Sequence, residues 1–154
     1  MYQQVVVHCS NILKEKNYQV SRPLMIKLFT SSPRQNNAYA LAWALFILVA
    51  CGAPPSTFDE LQLKDILGYD KPIHAILFGT QAYLLIRALK HKASLEKMIT
   101  YACLLSALYG VLIELLQKFY FEGRSFDYFD MLANILGCLI VWIWFTRKAK
   151  MLAQ

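Results

Sequence analysis

The sequence predicts an all-α fold, a four-transmembrane-helix bundle with both termini cytoplasmic. Three observations predict it. Four apolar segments, 38–53, 72–89, 98–117 and 128–145, approach the roughly 17–25 residues that a helix needs to cross a bilayer. Leu41–Ala50 and Leu136–Phe145 are apolar on every side, whereas helices of a soluble bundle carry a polar stripe at a period of 3.6 residues. The sixteen Lys and Arg residues are also unevenly placed: twelve lie before the first segment, around the loop between the second and third, or after the fourth. Only Lys64, Lys71, Lys118 and Arg124 lie on the other side. The positive-inside rule then puts both termini in the cytoplasm and turns the 53–71 and 118–127 loops outward.

The chain, 154 residues and 57% hydrophobic, has the length of one domain. Its net charge of +6 flanks the apolar segments, which argues against nucleic acid as a partner. Residues 1–37 read as a basic cytoplasmic arm, 38–146 as the membrane domain and 147–154 as a basic cytoplasmic tail. In the arm, Val5-Val6-Val7 is too short for the apolar region of a signal peptide. Lys14-Glu15-Lys16 and Ser31-Ser32-Pro33 fit an arm or an interfacial helix, and Met25 is an alternative start.

The first segment has 16 residues, about 24 Å of helix, and is short for a span unless Asn36-Asn37 or Pro54 extend it. Pro54-Pro55 ends it, because proline breaks the helical ladder. In the outer loop, Phe58, Leu61, Leu63 and Ile66-Leu67 suggest a short interfacial helix over 56–69. Pro72 suits the first turn of the second span, where its missing N–H costs nothing. Gly123 supplies the turn between the third and fourth. Three of the four cysteines (Cys51, Cys103 and Cys138, but not Cys9) fall inside spans, with no C-x-x-C spacing. They read as small apolar residues, and neither a disulfide framework nor a metal site is expected from them.

The chemistry lies in polar residues near one end of the spans. Gly110, Glu114 and Gln117 share a face of the third span. Asp127, Asp130, Asn134 and Gly137 share a face of the fourth, and Asp70 and His74 are four apart on the second. Ionisable groups in hydrocarbon cost roughly 2.5–3.5 kcal/mol each, so they tend to mark a site. The glycines allow close helix approach, and Arg124 and Ser125 would cap a common outward pocket.

Each residue also has a plainer reading. Glu114 can pair with His74 or Arg124, Asn134 can make an interhelical hydrogen bond, and Asp127 can cap the fourth helix. Lys71 can extend to the surface. Trp142, Trp144, Tyr128 and Phe129 suit the membrane interfaces.

The motifs Asp70-Lys71-x-x-His74-x-x-x-Phe78, Tyr109-Gly110-x-x-x-Glu114-x-x-Gln117 and Gly123-Arg124-Ser125-Phe126-Asp127-x-x-Asp130-x-x-x-Asn134-x-x-Gly137 together resemble the VanZ-like family. The resemblance covers roughly residues 38–146 and leaves the first 37 outside. It implies a four-span protein of the bacterial cytoplasmic (inner) membrane, in a family named after a member associated with low-level teicoplanin resistance.

Two function classes follow. The first is an envelope protein whose outward pocket binds an anionic lipid-linked wall precursor or a glycopeptide. Asp70, His74, Glu114, Gln117, Arg124, Ser125, Asp127, Asp130 and Asn134 would be its ligand-binding residues, with Arg124 meeting phosphate or carboxylate. Membrane lipids are the other expected partners. The second is a membrane-embedded hydrolase or transferase acting on a lipid-linked substrate. Glu114 or His74 would then be the base, and Asp130 would orient His74 or bind a metal. Whether the protein is an enzyme, and which cofactor it uses, stay open. The sequence carries no serine-nucleophile motif and no H-E-x-x-H. A transporter would usually show broken spans, and none is seen.

Overall fold

A computed structural model describes residues 32–54, 57, 70–89, 95–121 and 123–151. The described residues are helical, with four long helices and no strand. Helix α1 runs Pro33–Gly52, α2 Asp70–Ala88, α3 Leu95–Phe119 and α4 Tyr128–Met151.

Helix α1 starts before the expected span because the sequence just upstream is a cap. The Gln35 amide donates to Ser32 Oγ at 3.3 Å, and the Ser32 amide donates to Gln35 Oε1 at 3.1 Å. This reciprocal pair satisfies two otherwise orphaned donors, and Pro33 occupies the first turn. At 20 residues α1 is about 30 Å long, but the five residues added ahead of the apolar run, Pro33-Arg34-Gln35-Asn36-Asn37, lengthen the helix without lengthening its apolar part. Of the polar residues in this extension, Asn36 is buried and Arg34, Gln35 and Asn37 are exposed.

Helix α4 is capped by Asp127. The Phe129 amide donates to Asp127 Oδ1 at 2.7 Å, and the Met131 amide donates to the Asp127 carbonyl at 3.2 Å. The helix then continues past Phe145 to Met151 and takes in Arg147, Lys148 and Lys150. Most of the tail expected at 147–154 is therefore helix. Cations in a last turn interact favourably with the helix dipole, and Lys148 Nζ lies 4.7 Å from the Trp144 ring centroid. Between α3 and α4, Gly123 takes φ 74°, a left-handed backbone that glycine adopts without strain. The interfacial helix expected over 56–69 and the features of residues 1–31 lie outside the described residues, Thr57 excepted.

Helix α2 packs most extensively on α4, then α3 on α4 and on α2, while α1 lies mainly against α2. The closest approach is at Gly137, where a Cβ would lie 2.0 Å from the Ala75 carbonyl oxygen. The core runs through Ile47, Phe78, Ala82, Ile86, Met98, Ile99, Ile113 and Phe145. Polar bonds tie the helices together inside it. Ser106 Oγ donates to the Phe78 carbonyl at 2.8 Å, Tyr109 to Ala44 at 2.7 Å and Trp43 Nε1 to Leu77 at 3.0 Å.

The outer surface is apolar. Leu41, Leu45 and Val49 on α1, Leu104, Leu108 and Leu112 on α3, and Leu136, Leu139 and Ile140 on α4 are exposed. Meanwhile His74, Gln81, Glu114, Asp130 and Asn134 are buried. Water would favour the opposite arrangement, and hydrocarbon favours this one. Among the described residues, α3 and α4 are long and apolar enough to cross a membrane by length and composition.

Candidate functional site at the polar end of the bundle

The C-terminal ends of α1 and α3 and the N-terminal ends of α2 and α4 lie together, and the polar residues gather there. On α2, Asp70 and His74 are one turn apart, with His74 Nε2 3.6 Å from Asp70 Oδ1. His74 is buried, and its Nδ1 lies 3.0 Å from Asn134 Oδ1 on α4. Its Nδ1 is also 3.8 Å from Glu114 Oε1 on α3. The imidazole thus bridges three helices. Asn134 can come this close to α3 because the facing residue is Gly110, where a Cβ would lie 3.0 Å from Asn134 Cβ.

Glu114 is fully buried. Its Oε2 accepts the Asp127 amide at 3.3 Å, while Oε1 has no hydrogen-bond partner. One carboxylate therefore links α3, the start of α4 and, through His74, α2. Asp127 and Asp130 share a cation, Lys71 Nζ, at 3.3 Å from each. The Phe129 amide, and then Lys71, hold the Asp127 carboxyl below the usual carboxylate range.

Two of the expected site residues bind α1 instead. Gln117 Nε2 donates to the Cys51 carbonyl at 2.9 Å, and Arg124 Nε donates to the Ala53 carbonyl at 3.0 Å. Both satisfy carbonyls at the end of α1, groups left without intrahelical partners. Ser125 is exposed in the loop. Asp70, His74, Glu114, Asp127, Asp130 and Asn134 are thus brought together, with Gln117 and Arg124 at the edge toward α1.

Two positions escaped the sequence reading. Lys71, expected only to reach for the surface, joins α2 to α4 through the two aspartates. Its place inside the Asp70-Lys71-x-x-His74 motif was the available signal. Gln81 is buried with Oε1 unpaired, and only its position within an apolar run marked it.

The profile of the family described as VanZ/LLP1 matches residues 10–149. The chain belongs to the VanZ/LLP1 family. The match begins well before residue 38, so it includes most of the arm expected to lie outside the resemblance. Comparisons with curated proteins and with solved structures found no match. All three motifs that carry the VanZ resemblance contribute to the cluster at the polar end. Asp70 and His74 come from the first, Glu114 from the second, and Asp127, Asp130 and Asn134 from the third.

Proposed function

We propose that this VanZ-family protein spans the cytoplasmic membrane of a bacterium four times, with both termini inside. Its outward polar end binds the anionic head group of a lipid-linked wall precursor. Such binding would limit the access of teicoplanin-type glycopeptides to their target. One observation carries the reading: His74, Glu114, Asp130 and Asn134, buried on three helices, meet in a bundle whose outside is apolar. Packing alone has no use for this much buried polarity at one depth. Half-exposed Lys71, beside Asp127 and Asp130, and partly buried Arg124 supply positive charge at that end. The charge bias of the loops supports the orientation.

A second reading has its own observation. His74 is held by an amide at 3.0 Å with a carboxylate 3.8 Å away, an arrangement suited to acid–base chemistry in a membrane-embedded hydrolase or transferase.

The test has two arms. In a background without native cysteines, Ser125→Cys should react with an impermeant thiol reagent from outside and Lys150→Cys only after permeabilisation. The reverse pattern refutes the orientation. In a strain whose glycopeptide susceptibility depends on the protein, Glu114→Gln should abolish the phenotype at unchanged abundance. The amide oxygen still accepts from the Asp127 amide, so folding is retained at small cost. Wild-type susceptibility at equal abundance would remove Glu114 from function.

A further inference from the structure

We propose that Asp70, His74 and Asp130 bind one divalent first-row transition cation at the polar end of the bundle. One donor atom from each lies within 4.8 Å of the other two. Bonds of about 2.0–2.2 Å to Zn2+ require ligand atoms about 3.3–3.6 Å apart, so side-chain adjustments of about 1 Å close the triad on a cation. Asp70 and His74 are one helical turn apart on α2, and Asp130 comes from the first turn of α4.

Two further observations point to a ligand rather than to a chance group of acids. First, Asp130 is only 7% exposed, and what its Oδ1 meets is already a cation, Lys71 Nζ at 3.3 Å. The Lys71 side chain is 50% exposed, so it can withdraw into solvent and leave that place to a metal ion. Second, His74 is oriented as a ligand. In the tautomer whose Nδ1–H donates to Asn134 Oδ1 at 3.0 Å, Nε2 holds a lone pair that faces Asp70 Oδ1 at 3.6 Å, and the two can share a cation. Metal-bound histidines commonly have the other ring nitrogen held in this way, and Glu114 Oε1 lies 3.8 Å from Nδ1.

The donor set decides the class of ion. One imidazole with two carboxylates suits Zn2+ and Mn2+, whereas Mg2+ and Ca2+ take oxygen donors. At one set of donors the affinity order places Zn2+ above Mn2+. The site stands independently of the head-group reading, since it requires only these three side chains.

The full chain, purified in detergent and stripped with EDTA, is dialysed against Zn2+, Mn2+ or Mg2+, and retained metal is measured by mass spectrometry. Wild type should hold one equivalent of Zn2+, bind Mn2+ more weakly and bind Mg2+ least. His74→Gln and Asp130→Asn should each weaken Zn2+ binding by more than about tenfold. Asp70→Asn changes a partly exposed group, so it should fold normally and decide the matter if the buried variants do not. Lys71→Met should bind at least as tightly as wild type, because a competing cation is gone. His8→Gln with His91→Gln should leave binding intact. Failure of wild type to retain Zn2+, or equal retention by Asp70→Asn, overturns the site and assigns the His74–Asp70 gap to a proton. Neither result bears on membrane orientation or glycopeptide susceptibility, which are read separately.

Discussion

Gly137→Ala should destabilise the bundle and break the contact on which His74 depends. The added Cβ would lie 2.0 Å from the Ala75 carbonyl oxygen, where ordinary contact begins at 3.4 Å. The obstacle is backbone, so no side chain can rotate away, and α2 and α4 must part locally by about 1.4 Å. Overpacking of this kind costs about 1–3 kcal/mol. His74 precedes Ala75 on the displaced strand of helix, and its 3.0 Å approach to Asn134 would stretch beyond hydrogen-bonding distance. Leaving those buried groups unpaired adds about 1–3 kcal/mol. Alanine gains about 1 kcal/mol over glycine in helix propensity, which offsets part of the loss. The net expectation is about 1–5 kcal/mol of destabilisation. Unfolding in SDS mixed micelles, followed through Trp43, Trp142 and Trp144, measures it. Gly79→Ala is the control, because its Cβ would lie 3.2 Å from the Gly137 carbonyl oxygen and needs a shift of only a few tenths of an ångström. An unfolding free energy for Gly137→Ala within about 0.5 kcal/mol of wild type would refute the close-approach argument.

Ser106→Ala removes a buried 2.8 Å bond to the Phe78 carbonyl and should cost about 0.6 kcal/mol in the same micelle assay, the average for such bonds in a membrane. No change would mean that the carbonyl finds another donor. Ser32→Ala removes one half of the reciprocal cap, so hydrogen exchange in the first turn of α1 should quicken by the equivalent of about 1 kcal/mol; unchanged protection speaks against the cap. Arg124→Lys keeps the charge but cannot place a donor where Nε meets the Ala53 carbonyl, so it should impair the glycopeptide phenotype nearly as much as Arg124→Ala. Full activity in the lysine variant would show that a point charge suffices.

The periodicity that made the helices legible also set the limits of the reading. All-round apolar runs located the middle of each helix, but not its ends, because ends are fixed by capping. Ser32-Pro33-Arg34-Gln35 has the S-x-x-Q pattern of a capping box, yet next to a polar segment it read as an arm. Asp127 was legible as a cap because an aspartate immediately before an apolar run suits the N-cap position. At the other end of α4, Arg147 and Lys148 look like the start of a tail. A long basic side chain on a last helical turn costs little and gains from the dipole, so the helix continues through them.

The polar cluster was legible as a set of faces, because residues three and four apart on a helix must lie together. Which partner each side chain finds across helices is a different kind of information. It depends on the rotation and depth of neighbouring helices, and here glycines set both. Gly137 against Ala75 and Gly110 against Asn134 bring three backbones close enough for one imidazole to reach an amide and two carboxylates. Gln117 and Arg124 share the sequence neighbourhood of the cluster, but they turn to α1, whose terminal carbonyls have no intrahelical donors. The division of labour follows from supply and demand for hydrogen bonds at one end of the bundle. Amide and guanidinium donors close the open end of α1, and what remains between α2, α3 and α4 is an imidazole that faces Asn134 and the carboxyls of Asp70 and Glu114, with Lys71 beside Asp127 and Asp130. A cation held at this end, as proposed above, is compatible with an anionic ligand, since a metal ion can join carboxylates to a phosphate that they would otherwise repel.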